Sequence, residues 1–194
     1  MVYSSTDFPY NESSVQVFET PPNFSTWYDG ILYEKLIAPQ SERLQTLLTV
    51  FAKRGDTALD IGCGVGVLTF KLARKCSRVL GVDASRKMIA YAKKKRLAIG
   101  AGNVEFLCAD AANLSVMQTG KFDLATLALF LHEVDDSTRR AVVRCTLSLA
   151  RKLVIADFST PFPKTVEGRR LKMQEFIAGK RHHRNFKDWM NKGG

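Results

Sequence analysis

Two kinds of hydrophobic pattern alternate along the central part of the chain. Five short runs of apolar and β-branched residues predict strands, and the run near the middle is apolar throughout, as expected for a parallel strand buried on both faces. Between the runs, apolar residues recur every three or four positions, which predicts amphipathic helices. The predicted strands cover residues 57–61, 78–82, 104–108, 122–129 and 152–156, and the helices that follow them cover 67–76, 85–99, 135–150 and 166–177.

Two further helices are predicted ahead of the first strand, from Trp27 to Pro39 and from Ser41 to Ala52. The residues expected to share the apolar face of the second of these are Leu44, Leu47, Leu48 and Phe51. For the helix over 135–150, the residues expected to face inward are Val143, Leu147 and Ala150.

Regular alternation of strands and helices predicts an α/β fold with a doubly wound, mostly parallel sheet. We divide the chain into an N-terminal arm with helices (1–52), a central sheet region (53–160) and a basic helical segment (161–194). A chain of 194 residues is of ordinary size for one domain, so we expect all three parts to form a single domain.

Composition narrows the class of protein. A hydrophobic content of 45% and a charged content of 25% are typical of a soluble globular chain. The longest apolar run, Leu124–Leu131, is too short to span a bilayer, and no signal peptide is visible.

The four cysteines form no C-x-x-C pair, so we expect reduced thiols and a cytoplasmic location. None of the three histidines has metal-ligand spacing with a cysteine, and we predict no metal site.

The net charge of +10 is concentrated in two segments. Residues 85–99 carry six basic residues and no acid, and residues 164–194 carry nine basic and three acidic residues. Solvated helix faces explain this pattern. The alternative is a surface for an acidic partner such as RNA, an anionic metabolite or a membrane surface. No nucleic-acid-binding motif supports the RNA alternative.

The segment most informative about function is Leu59-Asp60-Ile61-Gly62-Cys63-Gly64-Val65-Gly66-Val67-Leu68. A strand ends in an acid, three glycines alternate, and a helix begins. Such a turn lets a ligand approach the backbone closely. The dinucleotide fingerprint G-x-G-x-x-G needs a glycine where the chain has Val67. An acid at Asp60 suits a ligand with an amino group and disfavours a pyrophosphate.

This D-x-G-x-G-x-G turn resembles motif I of the class I S-adenosylmethionine-dependent methyltransferases. Three further segments of residues 57–157 resemble that family in order and spacing: Gly81–Ser85, Cys108–Ala111 and Lys121–Val134. The resemblance is nearest to the small-molecule group that includes the ubiquinone and menaquinone methyltransferases. It implies a Rossmann-like methyltransferase core with S-adenosylmethionine as cofactor and S-adenosylhomocysteine as product.

The resemblance also implies roles for individual residues. The glycine turn would let the methionine part of the cofactor lie against the backbone, with Asp60 close to the ammonium group of that methionine. Asp83 would accept hydrogen bonds from the ribose hydroxyls, because Ser85 can cap the next helix instead. Tyr28 would help to cover the cofactor. The full set of expected cofactor-binding residues is Tyr28, Asp60, Gly62, Cys63, Gly64, Gly66, Asp83, Ala84, Met88, Asp110, Ala111, Ala128 and Leu129.

For several of these residues a structural role is an equal alternative. Asp110 would accept from the adenine amino group, or cap a helix. Met88 would pack on the adenine, or belong to the core. His132 is the candidate general base for an acceptor that must lose a proton, or a hydrogen-bonded structural histidine.

The reaction that the family implies is an in-line SN2 methyl transfer to a small-molecule acceptor. Alternatives left open are an RNA or protein acceptor, and a catalytically silent cofactor-binding subunit. An NAD-dependent oxidoreductase is disfavoured by Val67 and Asp60. The acceptor, its reacting atom, the need for a base and the oligomeric state do not follow from the sequence.

The chain departs from the family after Asp157, where we find no strand pair for the usual C-terminal β-hairpin. We expect the hairpin to be lacking, because the chain is a shortened form or because another segment replaces it. The fifth strand would then be an exposed edge through which the protein could self-associate.

Overall fold

A computed structural model describes residues 38–116, 121–177 and 179–194. Five parallel strands form one sheet with the order β3-β2-β1-β4-β5. The strands are β1 (Thr57–Ile61), β2 (Arg78–Asp83), β3 (Val104–Cys108), β4 (Leu124–Ala128) and β5 (Leu153–Ala156). The predicted α/β class and parallel sheet are confirmed. The fourth strand is shorter than predicted, because Phe122 forms only an isolated bridge with Ala150.

Six α-helices occupy the described part of the chain, together with three short 3-10 helices. The α-helices are α1 (Ala38–Leu48), α2 (Val67–Leu72), α3 (Arg86–Ile99), α4 (Asp136–Leu149), α5 (Val166–Ile177) and α6 (Lys180–Asn191). The 3-10 helices cover Thr49–Phe51, Ala111–Val116 and Leu131–Glu133. Among the residues described, no helix has both the length and the apolar character needed to cross a membrane.

Two predicted helix faces are correct in part: Leu48 and Ala150 are buried and Leu44 and Val143 are partly buried, but the other three predicted residues are exposed. In α1 the buried positions are Gln45 and Leu48, while Leu47 is 64% exposed, and Phe51 after it is 45% exposed. In α4 Leu147 is 55% exposed, and the inward positions are Val142, Cys145, Thr146 and Leu149. In both helices the buried residues are three or four positions apart, as in any amphipathic helix. Packing on the sheet decides which side of each helix is buried. The helix predicted from Trp27 to Pro39 lies outside the described residues except for its last two positions.

The core lies on both faces of the sheet. Leu59, Ile61, Leu80 and Val82 point to the face covered by α4, whereas Ala58 and Val79 point to the face covered by α1 and α2. Successive strand residues therefore serve opposite layers, which is why the central strands are apolar throughout. Helix α3 packs with Val104 and Phe106 beside β3.

The strand order reverses between β1 and β4. The chain runs outward from β1 to β2 and β3, then returns across β1 to form β4 and β5. In open parallel sheets a ligand binds at the carboxyl ends of the strands beside this switch point. The edge position predicted for β5 is confirmed, and its Ile155 is 45% exposed.

The segment after β5 forms the two helices α5 and α6 and no strand within the described residues. Helix α6 packs on the 3-10 helix Leu131–Glu133 at the carboxyl end of β4, burying Asn185 and Phe186. The C-terminal helices therefore lie beside the switch point.

Candidate active site

The turn between β1 and α2 is built from glycines whose backbone conformation requires them. Gly62 and Gly66 have φ values of +70° and +83°, a region that other residues rarely adopt. A Cβ atom on Gly62 would lie 2.4 Å from Cδ2 of Phe130, and one on Gly66 would lie 2.6 Å from Cζ of Phe106. The backbone of this turn is thus closely packed against Phe130 and Phe106 at its first and last glycines.

Asp83 stands at the end of β2, facing the glycine turn. Its Oδ2 accepts a 2.9 Å hydrogen bond from the main-chain N–H of Gly64, and its Oδ1 accepts one of 2.8 Å from the N–H of Ser85. The Ser85 hydroxyl oxygen accepts from the N–H of Met88 and so caps α3. Ser85 caps α3, as predicted, and the Asp83 carboxylate joins the glycine turn to the start of that helix.

Asp60 lies beneath the turn and is only 2% exposed. Its Oδ2 accepts a hydrogen bond from the Thr69 hydroxyl at 2.7 Å, and its Oδ1 accepts one from Thr126 at 2.8 Å. Burial raises its pKa to about 6, against the lowering effect of the two hydroxyls. The structure therefore gives this carboxyl a bracing role between β1, α2 and β4, and its expected contact with a ligand ammonium stays a prediction.

The neighbouring Cys63 thiol is half-buried and donates weakly to the carbonyl of Gly64. Burial, reinforced by the charges of Asp83 and Asp60, raises the pKa of Cys63 well above its ordinary value. This side chain is thus a neutral thiol that lines the turn.

The residues expected to hold the adenine also lie at this edge of the sheet. Asp110 is exposed just after β3, and its carboxylate accepts from the N–H of Ala112 and the side-chain amide of Asn113. Asp110 therefore does cap the 3-10 helix that begins at Ala111. Of the other candidates here, Ala84 is half-buried, while Met88 and Ala111 are 7% and 8% exposed.

Leu129 marks the exit of the chain from β4. Its φ of +53° is the only positive value at a non-glycine residue in the described ranges. Its N–H still donates to the carbonyl of Ala156 in a 2.8 Å bond. A strained residue held in place by its surroundings is found most often at a functional site. Ile61 pairs with Leu127, so Ala128 and Leu129 follow beside the glycine turn, and their expected contact with the cofactor stays a prediction. Tyr28 lies outside the described residues.

His132 is buried, 3% exposed, in a cluster that joins the ends of β4 and β5 to the C-terminal helices. Its Nδ1 lies 2.6 Å from Oδ1 of Asp157, the residue after β5, and its Nε2 lies 3.5 Å from Oε2 of Glu175 in α5. Nε2 of His182, in the first turn of α6, contacts the same Glu175 oxygen.

Both histidines are more basic than usual. Burial alone would lower the pKa of His132, but the hydrogen bond and charge of Asp157, with the charges of Glu133 and Glu175, raise it overall. The pKa of His182 is likewise raised against its burial, by Glu175 and Glu133. Spacing along the sequence gave no sign of this cluster, because Glu175 and His182 reach His132 only through the packing of α5 and α6.

Glu133 is the one member of the cluster that is exposed to solvent. Partial desolvation of its carboxyl raises its pKa to about 7, the two histidines lower it, and the charges of Glu175 and Asp83 raise it further. The 3-10 helix that carries Glu133 follows β4, the strand next to β1, so Glu133 lies at the same edge of the sheet as the glycine turn. The general base predicted from the sequence was His132, not this neighbouring acid.

Helix α6 is clamped to the site by Arg139 of α4. Its guanidinium donates to the carbonyls of Leu131 and Asn185 at 2.8 Å each, and to Asp188 at 2.7 Å. The side-chain amide of Asn185 donates to the Glu133 carbonyl at 2.7 Å. The 3-10 helix that carries His132 and Glu133 is therefore fixed from both sides.

The parallel sheet, the glycine turn after β1 and the carboxylate after β2 together define a protein that binds a nucleoside-type cofactor. Comparison with known proteins identifies the class. Residues 58–152 match the family model described as a methyltransferase domain.

Named relatives agree with that match. A ubiquinone biosynthesis O-methyltransferase of Xanthomonas euvesicatoria is 28% identical over 91% of this chain and 75% of its own length. The enzyme of the same name from Ralstonia nicotianae is 33% identical over 61% of this chain and 48% of its own length. Among solved structures, magnesium protoporphyrin IX methyltransferase from Synechocystis with bound S-adenosylhomocysteine has a TM-score of 0.57. It is 27% identical over 75% of this chain and 67% of its own.

These matches support a class I S-adenosylmethionine-dependent methyltransferase, in agreement with the resemblance found in the sequence.

Proposed function

We propose that this protein methylates an oxygen atom of a small hydroxyl-bearing molecule, with Glu133 as the general base. The observation that carries the proposal is the position of Glu133, an exposed carboxyl in the 3-10 helix after β4, at the same edge of the sheet as Asp83. The relatives named as O-methyltransferases support oxygen as the acceptor atom.

The cofactor site fits S-adenosylmethionine. Gly62 and Gly66 adopt positive φ values in a turn at the carboxyl end of β1, where a ligand can approach the backbone closely. Asp83 is oriented towards this turn by Gly64 and Ser85, and a carboxylate there can accept hydrogen bonds from two ribose hydroxyls. When bound, S-adenosylmethionine supplies a methyl group on a sulfonium centre that is open to in-line attack.

The protein's own task is to position the acceptor and to remove its proton. A hydroxyl oxygen becomes a good nucleophile only as its proton leaves, so a carboxylate within hydrogen-bond reach assists the reaction. Glu133 is suited to this because it is reachable from the cleft. His132 is less suited, since it is buried and its two ring nitrogens face Asp157 and Glu175. We therefore assign His132 a positioning role, in place of the base expected from the sequence.

The test is a comparison of wild type with Glu133→Gln in a methyl-transfer assay that follows S-adenosylhomocysteine release over a panel of phenols and catechols. We expect kcat to fall by about 10²–10⁴-fold in the variant, the usual contribution of a general base. The affinity for S-adenosylhomocysteine should stay within about twofold, because Glu133 has no part in holding the cofactor.

Glu42→Gln is the matched control, since Glu42 is an exposed α1 residue paired with Lys71 and remote from the cleft. A Glu133→Gln protein with wild-type kcat would reject the assignment of the base. Turnover on RNA or a protein but on no small molecule would reject the acceptor class.

Two further expectations belong to this proposal. The four cysteines are free thiols, of which Cys76 and Cys145 are buried, and this supports a reducing compartment such as the cytoplasm. The edge strand β5, with Ile155 exposed, supports self-association. Sedimentation equilibrium of wild type and Ile155→Lys tests self-association. A wild-type protein that is monomeric at all concentrations would reject self-association.

A further inference from the structure

We propose that His132, Glu175 and His182 bind one divalent transition-metal ion, with Zn²⁺ as the best-matched ion. The three residues come from three separate elements: the 3-10 helix after β4, helix α5 and the first turn of helix α6. Their ligand atoms all lie within 4.8 Å of one another. The site is distinct from the cofactor turn and does not depend on the identity of the methyl acceptor.

The donor set matches zinc chemistry. Two imidazole nitrogens and one carboxylate are a common set of three protein ligands for Zn²⁺, with the fourth position left to water or substrate. Zn–N and Zn–O bonds of about 2.0–2.2 Å in a tetrahedron place neighbouring ligand atoms about 3.4 Å apart. The distance of 3.5 Å between Nε2 of His132 and Oε2 of Glu175 agrees with that value. Nε2 of His182 is closer than this to the same oxygen, so its ring would move away from Glu175 when the ion binds.

Asp157 supplies the support that a metal-binding histidine needs. Its Oδ1 lies 2.6 Å from Nδ1 of His132, and its Oδ2 accepts from the main-chain N–H groups of Leu131 and His132 at 2.8 and 3.3 Å. A proton held on Nδ1 by this carboxylate leaves the lone pair of Nε2 directed at Glu175. Carboxylate–histidine pairs of this kind fix the tautomer and orientation of metal ligands.

The surroundings exclude bulk water from the cluster. The side chains of His132, Glu175 and His182 are 3%, 12% and 12% exposed. The rings of Phe158 and Phe186 lie edge-on to His132, with centroids at 4.8 and 6.0 Å. An ion bound here would join the two C-terminal helices to the sheet. The alternative for the same contacts is a proton-only network, in which the two imidazoles donate to Glu175.

The experiment is metal analysis of the purified chain. The protein is stripped with a chelator, reloaded with Zn²⁺ or Co²⁺, freed of excess ion by gel filtration and assayed by mass spectrometry of the metal. We expect one equivalent per chain in wild type. The Co²⁺ form should show visible bands of a tetrahedral site and no near-ultraviolet band from thiolate ligation, because the set contains no cysteine.

Variants then locate the ion. His182→Ala and Glu175→Gln should each lose the bound equivalent, whereas His183→Ala should keep it. His183 is the matched control, since it is the next residue in α6 but its ring packs on Phe176 instead. Asp157→Asn should weaken Zn²⁺ binding by about 10–100-fold, as expected for a group that orients a ligand.

Several outcomes would overturn the proposal. A wild-type protein that retains no ion would establish the proton-only network. A thiolate band in the Co²⁺ form, or an equivalent retained by His182→Ala, would place the ion elsewhere. Circular dichroism and S-adenosylhomocysteine titration of each variant separate ligand loss from unfolding. Because the readout is bound metal, its failure is distinct from the failure of the proposed methyl transfer.

Discussion

The main-chain N–H of Gly64 donates a 2.9 Å hydrogen bond to the carboxylate of Asp83. This bond links the glycine turn after β1 to the end of β2, so two motifs that are 19 residues apart in the chain form one surface. The position of the Asp83 charge is thereby coupled to the shape of the turn.

Replacing Asp83 should therefore affect cofactor binding more than folding. Asp83→Asn keeps an oxygen for the Gly64 N–H but removes the charge and one of the acceptors available to ribose hydroxyls. We expect its affinity for S-adenosylhomocysteine to fall at least about tenfold, the loss of roughly one charge-assisted hydrogen bond. Calorimetric titration measures this, with the exposed Asp136→Asn as control. Equal affinities in the two variants would contradict the role given to Asp83.

The glycine turn gives a prediction about stability. Gly62→Ala should lower the free energy of unfolding by about 2–4 kcal/mol, because it adds a left-handed backbone penalty to a collision with Phe130. Gly102→Ala is the control, since Gly102 lacks a positive φ and has open space at its Cβ position. Urea denaturation measures both variants, and the prediction is wrong if they are equally stable.

Asp60 gives a prediction about pH. Its pKa is about 6 in the folded protein and 3.8 in an unfolded chain, so the folded state holds the proton more tightly. The resulting stabilisation is present below pH 4 and is lost as the pH rises through 6. With 1.36 kcal/mol per pKa unit, the loss is about 3 kcal/mol.

The measurement is denaturation of wild type and Asp60→Asn at several pH values from 4 to 7, without cofactor. The difference in free energy between the two proteins should shift in favour of the variant across this range. Other carboxyls, such as Asp135 with its lowered pKa, are common to both proteins and cancel in the difference. A difference that is constant with pH would show that Asp60 ionises as freely in the folded protein as in the unfolded chain.

Arg139 gives a prediction about the C-terminal helices. Arg139→Ala removes a buried guanidinium that donates to two main-chain carbonyls and leaves those acceptors unsatisfied. We expect a loss of about 2–4 kcal/mol of stability. Hydrogen exchange should accelerate first in Lys180–Asn191. Arg140→Ala, which removes an exposed pair with Asp136, should change stability by less than about 0.5 kcal/mol. Hydrogen exchange that is no faster in Lys180–Asn191 than elsewhere in the Arg139→Ala protein would contradict the role of Arg139 in holding α6.

The fold was predictable because its signals are local. Five apolar runs, the glycine turn and the capping serine each follow from neighbouring residues, and the structure has them where the pattern placed them. The cofactor edge was predictable for the same reason, since parallel strands bring their carboxyl ends together. The buried faces of α1 and α4 were predictable only in part, because several residues on each helix are apolar and only packing decides which of them turn inward.

The acceptor side of the cleft was predictable only in part. His132 and Glu133 are neighbours in the chain, and an acid beside a histidine at a strand end was a signal available in the sequence. Which of the two faces the cleft depends on how the 3-10 helix is oriented by Arg139, Asn185 and Asp157. The contacts of Glu175 and His182 depend on the docking of α5 and α6, which no local pattern encodes.

The reversal of strand order between β1 and β4 divides the chemistry between the two halves of the chain. Residues before β4 supply the glycine turn, Asp83 and Asp110, while residues from β4 onward supply Glu133, Asp157, Glu175 and His182. Under the proposed function, mutations from Leu131 onward should alter which molecule is methylated, whereas Ala128 and Leu129 in the same half adjoin the glycine turn. The later half is the natural target for libraries that seek new acceptors.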